Sequence, residues 1–238
     1  GCGFQMGARR FVAQTKTQTG LIIMQETAQG VVDTYRKEFA PKVVKMWYGL
    51  DDAATKAVWD RTTEEAFGIE YKLEDAWLTA RLPSGRKLYY FDPQPVMKAM
   101  PWDDTDLRRG WTYHQMKAGQ FKKITAYGGL LTENVVQATA RDIMVDRMFA
   151  VEMELAFPIL LTVHDELITE PRAELADHKA LEQVMEDAPQ WARELNILVA
   201  AEGWKVCVIN NAILSQLPLG SAYFLLMFLT KDLPLIVH

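Results

Sequence analysis

A short stretch of acidic and basic side chains between two apolar runs carries most of the chemical information in this chain. Residues 162–166 read Thr-Val-His-Asp-Glu, between Ile-Leu-Leu at 159–161 and Leu-Ile-Thr at 167–169. Two β-prone segments around a His-Asp-Glu corner predict a hairpin that holds carboxylates outside a hydrophobic sheet. Carboxylates at such a tip can hold a divalent metal against a phosphate. The competing interpretation is an ordinary solvated turn, which the triplet alone favours.

Further motifs in a fixed order along the chain reverse that balance. They are Gly-Phe-Gln-Met-Gly at residues 3–7, Pro-Ser-Gly-Arg-Lys-Leu-Tyr at 83–89, Gln-Ala-Thr-Ala-Arg-Asp at 137–142, Ala-Pro-Gln-Trp at 188–191 and Ala-Ala-Glu-Gly-Trp at 200–204. In this order and spacing the set resembles the C-terminal fingers and palm part of family A DNA polymerases, the polymerase I type, and especially their bacteriophage-like branch. The resemblance covers residues 1–204.

The resemblance implies template-dependent nucleotidyl transfer that uses two Mg²⁺ ions. One ion activates the primer 3′-hydroxyl, and the other holds the triphosphate and the leaving pyrophosphate. Asp165 matches the second metal-binding aspartate of the family, and Glu166 matches the acid that accompanies it. His164 matches a residue near the primer terminus. A lone histidine in a strand is equally well explained as a structural residue.

Two further positions are expected to contact DNA. Gln137 matches a glutamine that contacts the new base pair from the minor groove, where a donor tests pair shape without reading sequence. Phe4 stands where the family usually has a tyrosine beside the template base, so the ring is kept and the hydroxyl is lost. Glu133 replaces an asparagine that many relatives carry, which weakens any minor-groove role upstream of Gln137.

The resemblance also implies that the chain is incomplete. The first metal aspartate and the cations that grip the triphosphate would precede Gly1. We therefore expect the isolated chain to be inactive and to need the upstream polymerase segment as a partner, besides primer–template DNA and deoxynucleoside triphosphates. We expect a cytoplasmic location in a bacterial or phage-infected cell. The alternatives are a non-catalytic DNA-binding remnant and an unrelated carboxylate-metal hydrolase, which would need a second acidic cluster such as Glu64-Glu65 or Asp103-Asp104.

Length, composition and net charge narrow these functional interpretations only slightly. The chain has 238 residues, 49% of them hydrophobic, and a net charge of −5. That length and composition suffice for a real core, while the charge is unusual for a protein that binds nucleic acid mainly through phosphates. Two distant cysteines argue against a disulfide framework or a zinc site and favour a reducing compartment.

The hydrophobic patterns predict both helices and strands, and the resemblance implies an α+β fold with a helical fingers remnant followed by a palm half built on an antiparallel sheet and packed helices. Helices are expected from about Arg9 toward Gly20, over residues 25–39, after Pro41, from the N-cap Thr132 to about Phe149, and over 174–186. Two strands are expected around Pro83-Ser84-Gly85. An irregular stretch from Met97 to Gly110 suggests a boundary, which gives a fingers-derived region at 1–108 and a palm region at 109–205.

The end of the chain departs from this pattern. Residues 206–230 contain no charged side chain and do not resemble the family. Such a run is long enough to cross a membrane, but its Asn, Gln, Pro and Gly residues make it a poor spanning helix. We expect residues 206–238 to be an unrelated apolar extension, with a membrane anchor as the alternative, and we expect a chain that ends near Lys205 to be more soluble and unchanged in DNA binding.

Overall fold

A computed structural model of the protein describes residues 2–100, 103–172, 174–206 and 223–229. For residues 100, 103, 104, 204–206 and 223–229 only the backbone is described. The predicted α+β class is confirmed, since helices alternate with two antiparallel sheets. The described chain forms two compact units, the first ending at Gln137 and the second beginning at Ala138.

The first unit opens with helices at the predicted places. They are α1 (Ala8–Thr19), α2 (Gln25–Thr34), which continues as a π-helical turn (Tyr35–Phe39), and α3 (Pro41–Asp60). Gly20 ends α1 in the left-handed conformation with φ 75°, which glycine adopts without steric cost. Pro41 begins α3, where its missing N–H has no helical partner to lose.

A six-stranded antiparallel sheet follows α3. Its strands are β1 (Glu64–Ala66), β2 (Ile69–Glu74), β3 (Trp77–Arg81), β4 (Lys87–Met100), β5 (Asp103–Lys117) and β6 (Gln120–Thr125), and each pairs with the next along the chain. One face buries Leu78, Tyr90 and Trp111, while α3 buries Trp47 and Leu50 and contacts β1, β2, β4 and β5. This packing forms the core of the unit.

Only part of this sheet was predicted. The hairpin around Pro83-Ser84-Gly85 is confirmed, because Arg81 pairs with Lys87 across that turn. The described residues of the stretch from Met97 to Gly110 lie in β4 and β5, so the expected boundary after residue 108 falls inside β5. Proline is uncommon inside a paired strand because it lacks a backbone N–H. Pro93 lies within a register shift between Phe91 and Gln94, whereas Pro95 pairs with Trp111.

The long helix α4 (Gly128–Leu155) contributes residues to both units. It begins one turn before the expected N-cap, so the prediction for Thr132 is wrong. Thr132 is fully buried inside the helix. The first turn of α4 is capped instead by Gln5, whose Oε1 accepts a hydrogen bond from the Gly129 N–H at 2.9 Å. A cap from so distant a segment leaves no local sequence signal.

The second unit has a four-stranded antiparallel sheet and two short helices. The elements are β7 (Ile159–Val163), β8 (Glu166–Thr169), α5 (His178–Glu186), α6 (Gln190–Glu194), β9 (Ala200–Val206) and β10 (Tyr223–Leu229). The strand order is β7-β8-β10-β9. Ile143, Leu167 and Leu181 meet in the core of the unit. The helix expected from residue 174 begins at His178, because the Asp177 side chain caps it by accepting from two backbone N–H groups.

β10 changes the interpretation of the apolar end of the chain. It pairs with β8 over Phe224–Met227 and with β9 over Tyr223–Leu229, and so lies between them in the sheet. Residues 223–229 therefore belong to the sheet of the second unit, while the expected solubility and DNA binding of a chain that ends near Lys205 stay predictions. The rest of the predicted extension, residues 207–222 and 230–238, lies outside the described residues. No helix in the described ranges is long and apolar enough to cross a membrane.

Candidate functional site

The predicted acidic hairpin is present in the second unit. β7 and β8 pair with Val163 opposite Glu166, so His164 and Asp165 form the two-residue turn. His164 has φ 54°, a left-handed conformation that is uncommon for a side-chain-bearing residue and usual in tight turns. The tip therefore projects two consecutive polar side chains beyond the end of the ladder.

The strand after the tip is held firmly. Leu167 and Thr169 are fully buried, and β8 is paired on both sides, by β7 and by β10. Because successive residues of a strand face opposite sides, Glu166 lies on the face away from Leu167 and is half-buried. The hairpin thus fixes the backbone of Asp165 and Glu166 on a rigid strand end, while His164 and Asp165 are exposed.

The hairpin offers oxygen ligands of the kind that Mg²⁺ prefers. Magnesium is bound through one or two carboxylates together with substrate phosphates and water, and the neighbouring carboxylates of Asp165 and Glu166 fit that requirement. Across the described ranges, no three His, Cys, Asp or Glu side chains are grouped so that they could hold a metal by themselves. A metal at this tip would therefore need ligands from the substrate or from residues beyond these ranges.

Phe4 and Gln137, the two expected DNA contacts, belong to the first unit. The segment that carries Phe4 is held at three points by distant residues. The Trp47 Nε1–H donates to the Gly3 carbonyl at 2.7 Å, and Arg36 donates to the Met6 carbonyl at 3.3 Å. The Gln5 cap on α4 is the third. These bonds fix the backbone around Phe4 although it lies near the start of the chain.

Two glycines let α4 begin against this segment. A Cβ on Gly129 would lie 2.4 Å from the Phe4 carbonyl oxygen, and one on Gly128 would lie 2.1 Å from the Trp47 carbonyl oxygen. Both distances are far shorter than a carbon–oxygen contact allows, and backbone atoms cannot rotate away. Only glycine therefore permits the close approach of the helix start to both backbones.

A solvent-open cavity of about 440 Å³ lies beside this segment in the first unit. The lining side chains include Phe4, Arg10, Gln14, Tyr127 and Glu133. Arg10 and Glu133 give the cavity one charge of each sign. Gln137 lies one helical turn beyond Glu133 on α4 and is exposed. The structure thus places Phe4 close to the helix turn that precedes Gln137.

The beginning of α4 is anchored on the sheet by a buried polar pair. Asn134 Nδ2 donates to the Tyr90 hydroxyl at 3.2 Å. Burial raises the pKa of Tyr90 to about 12, so its hydroxyl stays neutral and available to Asn134 at any ordinary pH. This contact fixes the rotation of the helix that carries Glu133 and Gln137.

Sequence reasoning missed three residues of the cavity, Arg10, Gln14 and Tyr127. Arg9-Arg10 was visible as a basic pair, but basic pairs on helices are commonly solvated. Arg10 and Gln14 are four residues apart on α1, which places them on one helical face. That spacing was the only local signal, and nothing in the sequence indicated that this face meets Tyr127.

The chain is similar to a phage DNA polymerase. It is 31% identical over 156 residues to the DNA polymerase of Bacillus phage SP02, which covers 65% of this chain and 23% of that protein. The chain thus spans about a quarter of the length of the curated relative it matches. No protein-family model matches, and no solved structure matches.

Proposed function

We propose that the chain is part of a DNA-directed DNA polymerase of family A and takes part in template-dependent nucleotidyl transfer during DNA replication. The observation that carries the proposal is the Asp165-Glu166 hairpin tip, in a chain that is similar to a phage DNA polymerase. A solvated turn needs neither a pair of carboxylates nor a doubly paired strand behind it. A metal site needs carboxylate ligands, and it is more precise when a rigid element holds them.

In this proposal Asp165 binds Mg²⁺ through its exposed carboxylate, and the half-buried Glu166 supports the site from its edge. Bound Mg²⁺ neutralises phosphate charge and lowers the pKa of an attacking hydroxyl. His164, at the same turn, lies within reach of whatever occupies the tip and is assigned to the primer terminus. Phe4 stacks beside the template base, and Gln137 contacts the new base pair from the minor groove.

The proposed enzyme needs more than this chain. The matched relative is about four times longer than the matching region, since that region makes up 23% of it. The described residues supply no group of three metal ligands. We therefore propose that the remaining polymerase segment is a partner, together with primer–template DNA, deoxynucleoside triphosphates and two Mg²⁺ ions. The proposed location is the cytoplasm of a bacterial or phage-infected cell.

Reconstitution tests the proposal. The chain alone, with Mg²⁺, primer–template and all four deoxynucleotides, should extend no primer. The same chain fused in place of the matching quarter of the phage polymerase should extend it. Extension by the isolated chain would show that the metal site is complete within it, and an inactive but folded fusion would contradict the assignment to this family.

Binding measurements distinguish a catalytic part from the alternatives. Primer–template binding by the chain alone should be weak, independent of sequence and strongly salt-dependent, because phosphate contacts dominate it. Tight, salt-insensitive binding to one sequence would instead indicate a different DNA-binding protein. No observation favours the hydrolase: Glu64 accepts a hydrogen bond from Thr62, and the side chains of Asp103 and Asp104 lie outside the described structure.

A further inference from the structure

The six-stranded sheet of the first unit has one covered face and one open face. The covered face carries Tyr71, Leu78, Tyr90, Trp111 and Tyr113, all at most 4% exposed. On the open face Trp77 pairs with Phe91, and Phe91 pairs with His114. His114 pairs in turn with Lys123. Directly paired residues share a face, so these four side chains cross β3, β4, β5 and β6 in one row.

Aromatic rings on the open face form a continuous set. The Trp77 ring lies 4.9 Å from Phe91 and 5.9 Å from Tyr89, and Phe91 lies 5.5 Å from Phe121. His114 stacks on Phe121 at 5.5 Å with the two planes 4° apart. Tyr89 is 59% exposed and Phe121 55% exposed. Large aromatic side chains are more often buried, so an exposed row of them indicates a binding surface.

The open face carries cations beside its rings. On the open face Lys72 and Lys123 are exposed. Two acids of this face pair with its cations, Glu70 with Arg81 and Glu74 with Lys87, and Glu65 lies exposed at its β1 edge. Asp92 lies 3.1 Å from His114 Nδ1.

We propose that this open aromatic face binds single-stranded nucleic acid, as a site separate from the Asp165 hairpin. Bases stack on exposed rings regardless of sequence, and lysines beside them contact the phosphates. A sheet whose rings cross neighbouring strands can stack two or three bases. A protein partner would be served as well by aliphatic side chains. The ring planes and the cations together favour a polymer that has both bases and phosphates.

The test uses the whole chain and a labelled oligothymidylate of about 20 nucleotides, longer than a single binding site of this kind, with EDTA present so that no metal site contributes. Fluorescence anisotropy measures Kd. The double change Tyr89→Ala with Phe121→Ala should raise Kd about tenfold or more. Phe39→Ala is the matched control, because Phe39 is an 80% exposed phenylalanine of the π-helical turn, and it should leave Kd unchanged.

Neighbouring lysines provide a second matched pair. Lys123 lies on the open face, whereas Lys122 follows the opposite alternation of β6. Lys123→Ala should reduce the slope of log binding constant against log salt concentration by about 0.7, the value for one phosphate contact on a single strand. Lys122→Ala should change it less. Equal losses would locate binding at the sheet edge and overturn the proposal.

Two further measurements test the proposal if the Tyr89→Ala, Phe121→Ala double variant does not fold. Tyr89→Phe and Phe121→Tyr keep the rings and should bind as the unchanged chain does. The tryptophan fluorescence quench on binding should shrink in Trp77→Phe, because Trp77 belongs to the row. Wild-type affinity in a folded double-alanine variant, or equal competition by a blunt duplex, would overturn the proposal. An oligouridylate arm distinguishes RNA from DNA, and failure of both polymers to bind would overturn it in favour of a protein partner.

Discussion

The same substitution, glycine to alanine, should have opposite effects at two helical positions of the first unit. Gly30 lies in the middle of α2, and a Cβ there would meet nothing within 4 Å. Gly30→Ala should therefore stabilise the protein by about 0.5–1 kcal/mol, the difference in helix propensity between the two residues. This position serves as the internal reference.

Gly128→Ala should destabilise the protein. Its Cβ would lie 2.1 Å from the Trp47 carbonyl oxygen and 2.6 Å from the carbonyl carbon. Relief requires that α3 and the start of α4 move apart, and forcing extra carbon into a packed site costs about 1–3 kcal/mol. The helix-propensity gain of at most about 1 kcal/mol is smaller in the first turn. We therefore expect a net loss of about 1–2 kcal/mol or more.

Urea denaturation followed by circular dichroism measures both changes. The midpoint should rise for Gly30→Ala and fall for Gly128→Ala, with similar slopes, because the surface exposed on unfolding is unchanged. A Gly128→Ala variant as stable as the original would refute the close packing of α3 against α4. The close packing that we use to explain the fixed backbone around Phe4 would then be unsupported.

Three further outcomes are expected. A chain ending at Lys205 lacks β10 and should lose the cooperative unfolding of the second unit, since the hydrogen bonds of a central strand contribute on the order of 5 kcal/mol. The Lys179 ammonium and the Gly203 N–H lower the pKa of Glu182 in the folded protein. The ionised Glu182 side chain therefore stabilises the fold above the ordinary carboxyl pKa, and this stabilisation is lost as the pH falls through the lowered pKa. Glu182→Gln should reduce the loss of melting temperature at acid pH. Gln137→Ala in the fused polymerase should raise misincorporation, measured with single mispaired nucleotides, more than it raises the Kd for DNA.

Local sequence signals were sufficient for the elements that they specify by themselves. Helical spacing placed α1, α2 and α3, and the Pro-Ser-Gly turn placed the β3–β4 hairpin. The acidic hairpin was predictable because both of its strands and its turn lie within a few residues. The adjacency of Asp165 and Glu166 followed directly, while their proposed roles depend on the resemblance.

Features that depend on distant residues were not predictable from the sequence. The start of α4 depends on Gln5, which lies more than a hundred residues away in the chain. β4 contains Pro93, which lies within a register shift of the ladder. β10 was taken for an extension because its neighbours in sequence are apolar and uncharged, whereas its place in the sheet is set by β8 and β9. The cavity near Phe4 unites three separate segments in the same way.

Primer extension by the fused polymerase carrying Asp165→Asn tests the central claim most directly. The amide keeps the shape of the side chain and removes the anionic oxygen that Mg²⁺ binds. The matched control is Glu154→Gln, which neutralises an exposed carboxylate on α4 of the same unit. We expect Asp165→Asn to abolish extension, Glu166→Gln to reduce it less and Glu154→Gln to leave it unchanged. Full extension by a folded Asp165→Asn variant would contradict the account and would leave the hairpin tip as a solvated turn.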